Sequence, residues 1–180
     1  MLRGGADDAY WYTWFDGSAW HSHFLAAAGS ALSAAGPYYT GLVALDPADP
    51  WHVVISTDLD PRTGAPLVSA ADGRRHHELF GGVTTDGGAS WAWTPITTDS
   101  VVDNVRPVIP VWDADHVALV WLRDRYTTYD DYDLDVVAVV ADVWAIRPVR
   151  PDATTTTPGA RAGASVAPRS GARRRSCRRR

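Results

Sequence analysis

The sequence predicts an all-β protein assembled from small antiparallel sheets that repeat along the chain. Three observations predict it. Short runs rich in Val, Ile, Trp and Tyr recur, each bounded by Asp, Pro or Gly. Nine Trp and seven Tyr favour strands. Helix signals are scarce: the best candidate, FLAAAGSALSAAG (Phe24 to Gly36), is interrupted by Gly29 and ends at Gly36-Pro37, so it reads as loop with at most one helical turn.

In chain order, strands are expected near 9–15 and 19–25, joined by the turn FDGS, and near 41–46 and 52–57, joined across DPADP. Two more are expected near 78–84 and 90–97, and three near 107–112, 116–123 and 133–141. These strands repeat. TGLVALDPADPWHVVISTDLD (Thr40 to Asp60) lies over PVIPVWDADHVALVWLRD (Pro107 to Asp124), with Asp46 over Asp113 and His52 over His116. A gap of three residues falls in the turn. Repetition of small meandering sheets points to propeller blades. The expected fold is a partial β-propeller of about two to two and a half four-stranded blades. Residues 1–37 would end one blade, 38–100 would form a complete one, and 101–150 a further one.

The stretch TTDGGASWAW carries the spacing Thr84-x-Asp86-x-Gly88-x-Ser90-Trp91. The aspartate can accept backbone N–H bonds inside a turn, and the glycine supplies a backbone geometry other residues resist. Trp91 is expected to fold back under the turn, with Trp93 on the same strand face. The role of all five motif residues is read as structural.

Charge divides the chain. Residues 1–150 carry 9 Arg and 20 acidic residues, and residues 151–180 carry 8 Arg and one acid, Asp152. There is no Lys. The last segment, PDATTTTPGARAGASVAPRSGARRRSCRRR, lacks large apolar residues and is expected to be disordered. Without interleaved aromatics or a folded basic face it suggests no specific nucleic-acid partner. Cys177 is the sole cysteine, which excludes a disulfide framework and a CxxC metal site. Residues 1–14 hold no apolar run of signal-peptide type, and no segment approaches membrane-spanning length, so no membrane partner is expected.

The motif at 84–91 is an Asp-box. With FDGSAWHSHFLAAAGSAL, YYTGLVALDPADP, DNVRPVIPVWD and LVWLRDRYTTYDDYDLDVV, it makes most of residues 10–140 resemble the BNR/Asp-box group of sialidase-like β-propellers. The resemblance implies a six- or seven-bladed parent, so this chain is expected to be a C-terminal part of one. Closure would then need further blades or self-association. It also implies a carbohydrate-active protein that cleaves glycosidic bonds in an acidic glycan or oligosaccharide. The alternative is a non-catalytic glycan- or protein-binding propeller. The resemblance implies full-length relatives that are expected to be secreted or periplasmic, and it implies no cofactor or metal.

In a propeller the innermost strands line the axial channel. Here they begin YYTGL and NVRPV, which puts Tyr39 and Arg106 at equivalent positions near a mouth. Arg106 can hold a carboxylate with its fork of donors; the bland alternative is pairing with Asp103 or a neighbouring acid. Sialidases mark such an arginine with R-I-P, where this chain reads R-P-V. Tyr39 is a candidate nucleophile if a base stands beside it. Asp58, closing the strand ISTD, is a candidate acid/base. Arg123 and Tyr126 are candidate glycan contacts. His21 and His23 share a strand face without a third ligand. Asp130, Asp131, Asp133 and Asp135 lack the glycine and terminal Glu of a calcium loop.

Overall fold

The computed structural model describes residues 8–33, 39–113 and 115–142. The Arg-rich tail expected at 151–180 lies wholly outside the described residues. The units expected over 1–37 and 101–150 lie partly outside them, and Tyr38 does too.

The described chain is all-β. Nine strands form three antiparallel meanders. The first sheet pairs β1 (Ala9–Phe15) with β2 (Trp20–Ala27). The second runs β3 (Val43–Leu45), β4 (His52–Thr57), β5 (Glu78–Val83), β6 (Ala92–Pro95), each beside the next. The third runs β7 (Asn104–Val108), β8 (His116–Tyr126), β9 (Tyr132–Asp142).

Five strands begin or end two or more residues from expectation: β3 is shortened, β8 runs on to Tyr126, and the other three have a clear cause. Phe24 to Ala27 extend β2 rather than forming loop, because Leu25 and Ala26 bury against the second sheet and tertiary packing outweighs alanine's weak strand propensity. The strand expected at 107–112 lies at Asn104–Val108 instead. Pro107 and Pro110 have no N–H for a ladder, so pairing ends early and passes Pro107 through a bulge. The strand expected at 90–97 shrinks to Ala92–Pro95, since Ser90 and Trp91 are engaged in the preceding turn.

The second sheet lies between the other two. One face sends Val53, Ile55 and Phe80 against Tyr10, Tyr12 and Leu25 of the first sheet. The opposite face sends Ala44, Val54 and Leu79 against Val117, Leu119 and Trp121 of the third. All six residues of β4 are buried, so its apolar positions serve both cores. Each fully buried Val, Leu or Ile contributes about 1.5–3 kcal/mol.

The turns repeat as well as the strands. Between β3 and β4, Asp46 Oδ1 accepts the N–H groups of Ala48 (2.9 Å) and Asp49 (3.3 Å), and Asp46 Oδ2 lies 3.3 Å from His52 Nδ1. Between β7 and β8, Asp113 Oδ1 accepts the N–H groups of Asp115 (2.9 Å) and His116 (2.7 Å), and His116 Nδ1 lies 2.9 Å from it. The same aspartate-to-histidine contact closes both turns, with three more residues in the first.

The turn between β5 and β6 is built by Thr84 and Asp86. Thr84 Oγ1 accepts the Gly88 N–H at 2.9 Å and donates to Asp86 Oδ1 at 2.8 Å. Asp86 accepts from the Ser90 N–H (2.9 Å) and hydroxyl (2.6 Å). Trp91 Nε1 donates to Gly88 O at 3.2 Å, its ring meets Tyr12 edge-on, and Trp93 stacks beside it. Gly87 and Gly88 have φ of +76° and +94°. Trp14 Nε1 donates to Gly87 O across the interface with the first sheet.

A Cβ on Gly88 would sit 2.5 Å from Tyr12 Cδ1, whereas one on Gly17, also at positive φ, would meet nothing. Gly88→Ala should therefore destabilise the fold by at least about 2 kcal/mol in urea unfolding, and by clearly more than Gly17→Ala. Bonds from Ser90 and Thr84 hold the Asp86 carboxyl down at about 2. A depressed carboxylate adds stability above its unfolded value near pH 4 and loses it as pH falls toward 2. The wild type should lose more stability over that interval than Asp86→Asn does.

Candidate functional site

The second and third sheets are joined beside one corner by a seam of short hydrogen bonds. Arg106 N–H donates to Gly41 O at 2.7 Å, and the Ser56 hydroxyl donates to Asn104 O at 2.6 Å. Gly41 packs so closely on Ser56 that a side chain there would overlap it. From the first sheet, the Tyr10 hydroxyl reaches Ser56 O (3.0 Å) and Thr40 Oγ1 (3.1 Å). Burial pushes the Tyr10 phenol up, so it stays a neutral partner in this seam.

This seam fixes Arg106 in an unusual way. The register of β7 on β8 shifts between Val105 and Val108, and Arg106 sits inside that bulge with φ +55°. A non-glycine residue in the left-handed region is strained by about 1 kcal/mol or more. Bulges re-aim side chains, and this one turns Arg106 toward Tyr39 and Tyr126. The two tyrosine rings stack 9° from parallel with centroids 5.7 Å apart. Arg106 Cζ lies 4.8 Å from the Tyr39 centroid and 5.4 Å from that of Tyr126. Both distances suit cation–π attraction.

These three side chains line an open cleft of about 770 Å³, together with Leu122, Tyr129 and Asp130. Arg106 Nε is buried and has no hydrogen-bond partner among the described residues, and no described carboxylate forms an ion pair with Arg106. Asp103, the alternative partner named for it, is engaged elsewhere. Its Oδ1 accepts the His77 N–H at 2.9 Å and lies 3.5 Å from His77 Nδ1 and 3.8 Å from His76 Nδ1. Burial alone would raise the Asp103 carboxyl, but the bonds from His77 hold it below the ordinary range.

The remaining candidates lie apart from the cleft. Asp58 is buried, accepts the Ser30 N–H (2.9 Å) and hydroxyl (2.5 Å), and pairs with Arg75 at 2.6 Å. It joins the first sheet's exit loop to the second sheet. Arg123 points the other way from Leu122, into a separate recess with Ser100, Asn104 and Trp121. Thr84, Asp86, Gly88, Ser90 and Trp91 are occupied within their own turn. His21 bonds Asp16 at 2.7 Å and stacks on Trp14.

Sequence reasoning missed two features. Leu122, Tyr132 and Leu134 also face the cleft, and Tyr126↔Tyr132 are directly paired in the β8–β9 hairpin. Period-two alternation could have found them once the register was known. The second is a buried polar chain: Glu78 accepts the Ser100 N–H (2.7 Å) and hydroxyl (2.8 Å), and Asn104 Oδ1 accepts Trp121 Nε1 (3.0 Å). It braces the start of β7.

Comparison with protein-family models, curated proteins and solved structures found no match for the chain.

The arrangement can hold an anion at a guanidinium flanked by two aromatic faces. Its backbone geometry can be checked apart from its chemistry. Arg106→Ala and Arg106→Gly both remove the guanidinium, but only glycine accepts φ +55° freely. The glycine variant should be the more stable by about 1 kcal/mol in chemical unfolding. Equal stability would mean that Arg106 carries no backbone strain.

Proposed function

We propose that this chain is part of a sialidase-like β-propeller and binds the carboxylate of an acidic glycan in the cleft at Arg106. Three meandering sheets stacked face to face, the repeated Asp–His turns and the Asp-box turn at 84–91 support the propeller reading. The observation that carries the ligand reading is the Arg106 guanidinium. It faces a cleft, its Nε has no described acceptor, and aromatic rings flank it. A carboxylate would meet its fork bidentately, and the tyrosine faces suit the apolar face of a sugar ring. The cleft volume falls within the range of small-ligand sites, about 300–1,000 Å³.

Binding and cleavage make different demands. Binding needs the cation and the aromatic walls, which the cleft holds. Cleavage by Tyr39 needs a base or acid beside the phenol. Asp130 is the carboxylate among the described lining residues. Asp58 is committed to Ser30 and Arg75. These placements favour a glycan-binding module over a complete glycosidase.

Titration calorimetry with a uronate- or sialate-bearing oligosaccharide and its neutral counterpart tests the reading. The acidic sugar should bind more tightly. Arg106→Gln should weaken it tenfold or more, in line with about 1.5–3 kcal/mol for a charged hydrogen bond. Asp58→Asn should leave affinity unchanged while lowering stability. Equal affinity for both sugars, or an Arg106→Gln variant that binds normally, would overturn the assignment.

A further inference from the structure

Among the described residues, the stacking of three sheets leaves an outward apolar face at each end. On the first sheet, register sets Trp11 opposite Phe24, Thr13 opposite Ser22, and Phe15 opposite Trp20. These six positions carry no charge, and their four aromatic residues are 51–71% exposed. The pairs touch each other, Trp11 on Phe24 edge-on and Phe15 on Trp20 tilted. Aromatic residues bury about 150–250 Å² each when covered, so this face offers on the order of 500 Å². That already approaches the largest apolar patch of an ordinary monomer, about 300–600 Å². It is also more than half of the roughly 800 Å² that one partner brings to a stable interface.

The third sheet ends in a face of a different texture. Val108, Val120 and Ala138 stand side by side in register, with Leu122↔Val136 on one side and Val140, opposite the buried Ala118, on the other. Val108, Val136 and Val140 are 55%, 72% and 51% exposed. This surface is low and branched where the first is tall and aromatic.

We propose that a second copy of this chain covers the valine face with its aromatic face, head to tail. The interior supplies the precedent. Tyr10 and Tyr12 of the first sheet already pack on Val53 and Ile55 of the second, so aromatic rings on branched aliphatics is how these sheets mate. Tall rings interdigitate with short side chains across a sheet spacing of about 10 Å, whereas two aromatic faces would crowd one another. The contact is heterologous. Each copy therefore keeps one free face, and association runs on until it closes a ring or continues as a filament. The valine face adjoins Leu122 of the cleft, so the docked copy borders the ligand site. The interface itself does not depend on what that site binds.

Sedimentation velocity on the full chain tests this, with Trp20→Glu and Val136→Glu disabling one face each. Both side chains are more than two-thirds exposed, and circular dichroism checks that the variants fold. The wild type should gain mass steadily with concentration, and the gain should survive high salt because the contact is apolar. Each single variant should be limited to the monomer, since every head-to-tail junction then lacks one face. Mixing the two should restore mass only as far as a dimer, through the one junction with both faces intact. A wild type that stays monomeric would overturn the proposal, as would a mixture that stays monomeric. So would self-association of Val136→Glu alone, which would point to aromatic faces meeting each other, and so would loss of association in salt.

Discussion

Burial of β4 on both faces is the constraint from which the rest follows. A strand covered on one side alternates apolar and polar residues, whereas HVVIST has no exposed position. Its odd-numbered apolar residues belong to one core, and Val54 belongs to the other. The polar residues at its ends then need partners within the protein, because burial without them is costly. Ser56 reaches Asn104, Thr57 donates to Ala27 O, and Asp58 takes Ser30 and Arg75. The bonds to Asn104, Ala27 and Ser30 tie the second sheet to its neighbours, while Arg75 belongs to its own β4–β5 connection. The demand for polar satisfaction along one strand thus holds three small sheets together.

The cleft is a consequence of that stitching. Asn104 O is committed to Ser56 and the Arg106 N–H to Gly41, and with Pro107 unable to donate, β7 breaks its register with β8 between Val105 and Val108. The ladder skips, Arg106 enters the left-handed region, and its side chain leaves the plane in which a regular strand would hold it. Strain of this kind persists only where surrounding contacts over-determine the backbone. Tyr39 and Tyr126 complete the trap by enclosing the guanidinium with rings rather than acids. Among the described residues the cation is held in position without an acidic partner.

Much of the strand order was legible because its signals are local. Runs of Val, Ile, Trp and Tyr mark the nine strands, and aspartates at the turns mark their ends. The Asp46/His52 and Asp113/His116 correspondence was readable by laying one repeat over the other with a three-residue gap, and both pairs make the same contact. The cleft was legible in part: Tyr39, Arg106 and Tyr126 could be nominated as types of side chain near strand ends. What decided their company was pairing register. Arg123 and Leu122 are neighbours in sequence and face opposite sides, and only the pairing with β9 says which side meets Tyr39. The bulge has no glycine to announce it. Asp58 looked like a free carboxylate because Ser30 and Arg75 lie 28 and 17 positions away, beyond any local pattern.

We propose that Arg106 holds its charge ready for a carboxylate. The Nε–H resonance of Arg106, assigned by comparison with Arg106→Lys, reports on that atom directly by nuclear magnetic resonance. Titration with glucuronate should move the resonance saturably, while glucose at the same concentration should leave it in place. An Arg106 Nε–H that responds to neither sugar, or equally to both, would contradict the account.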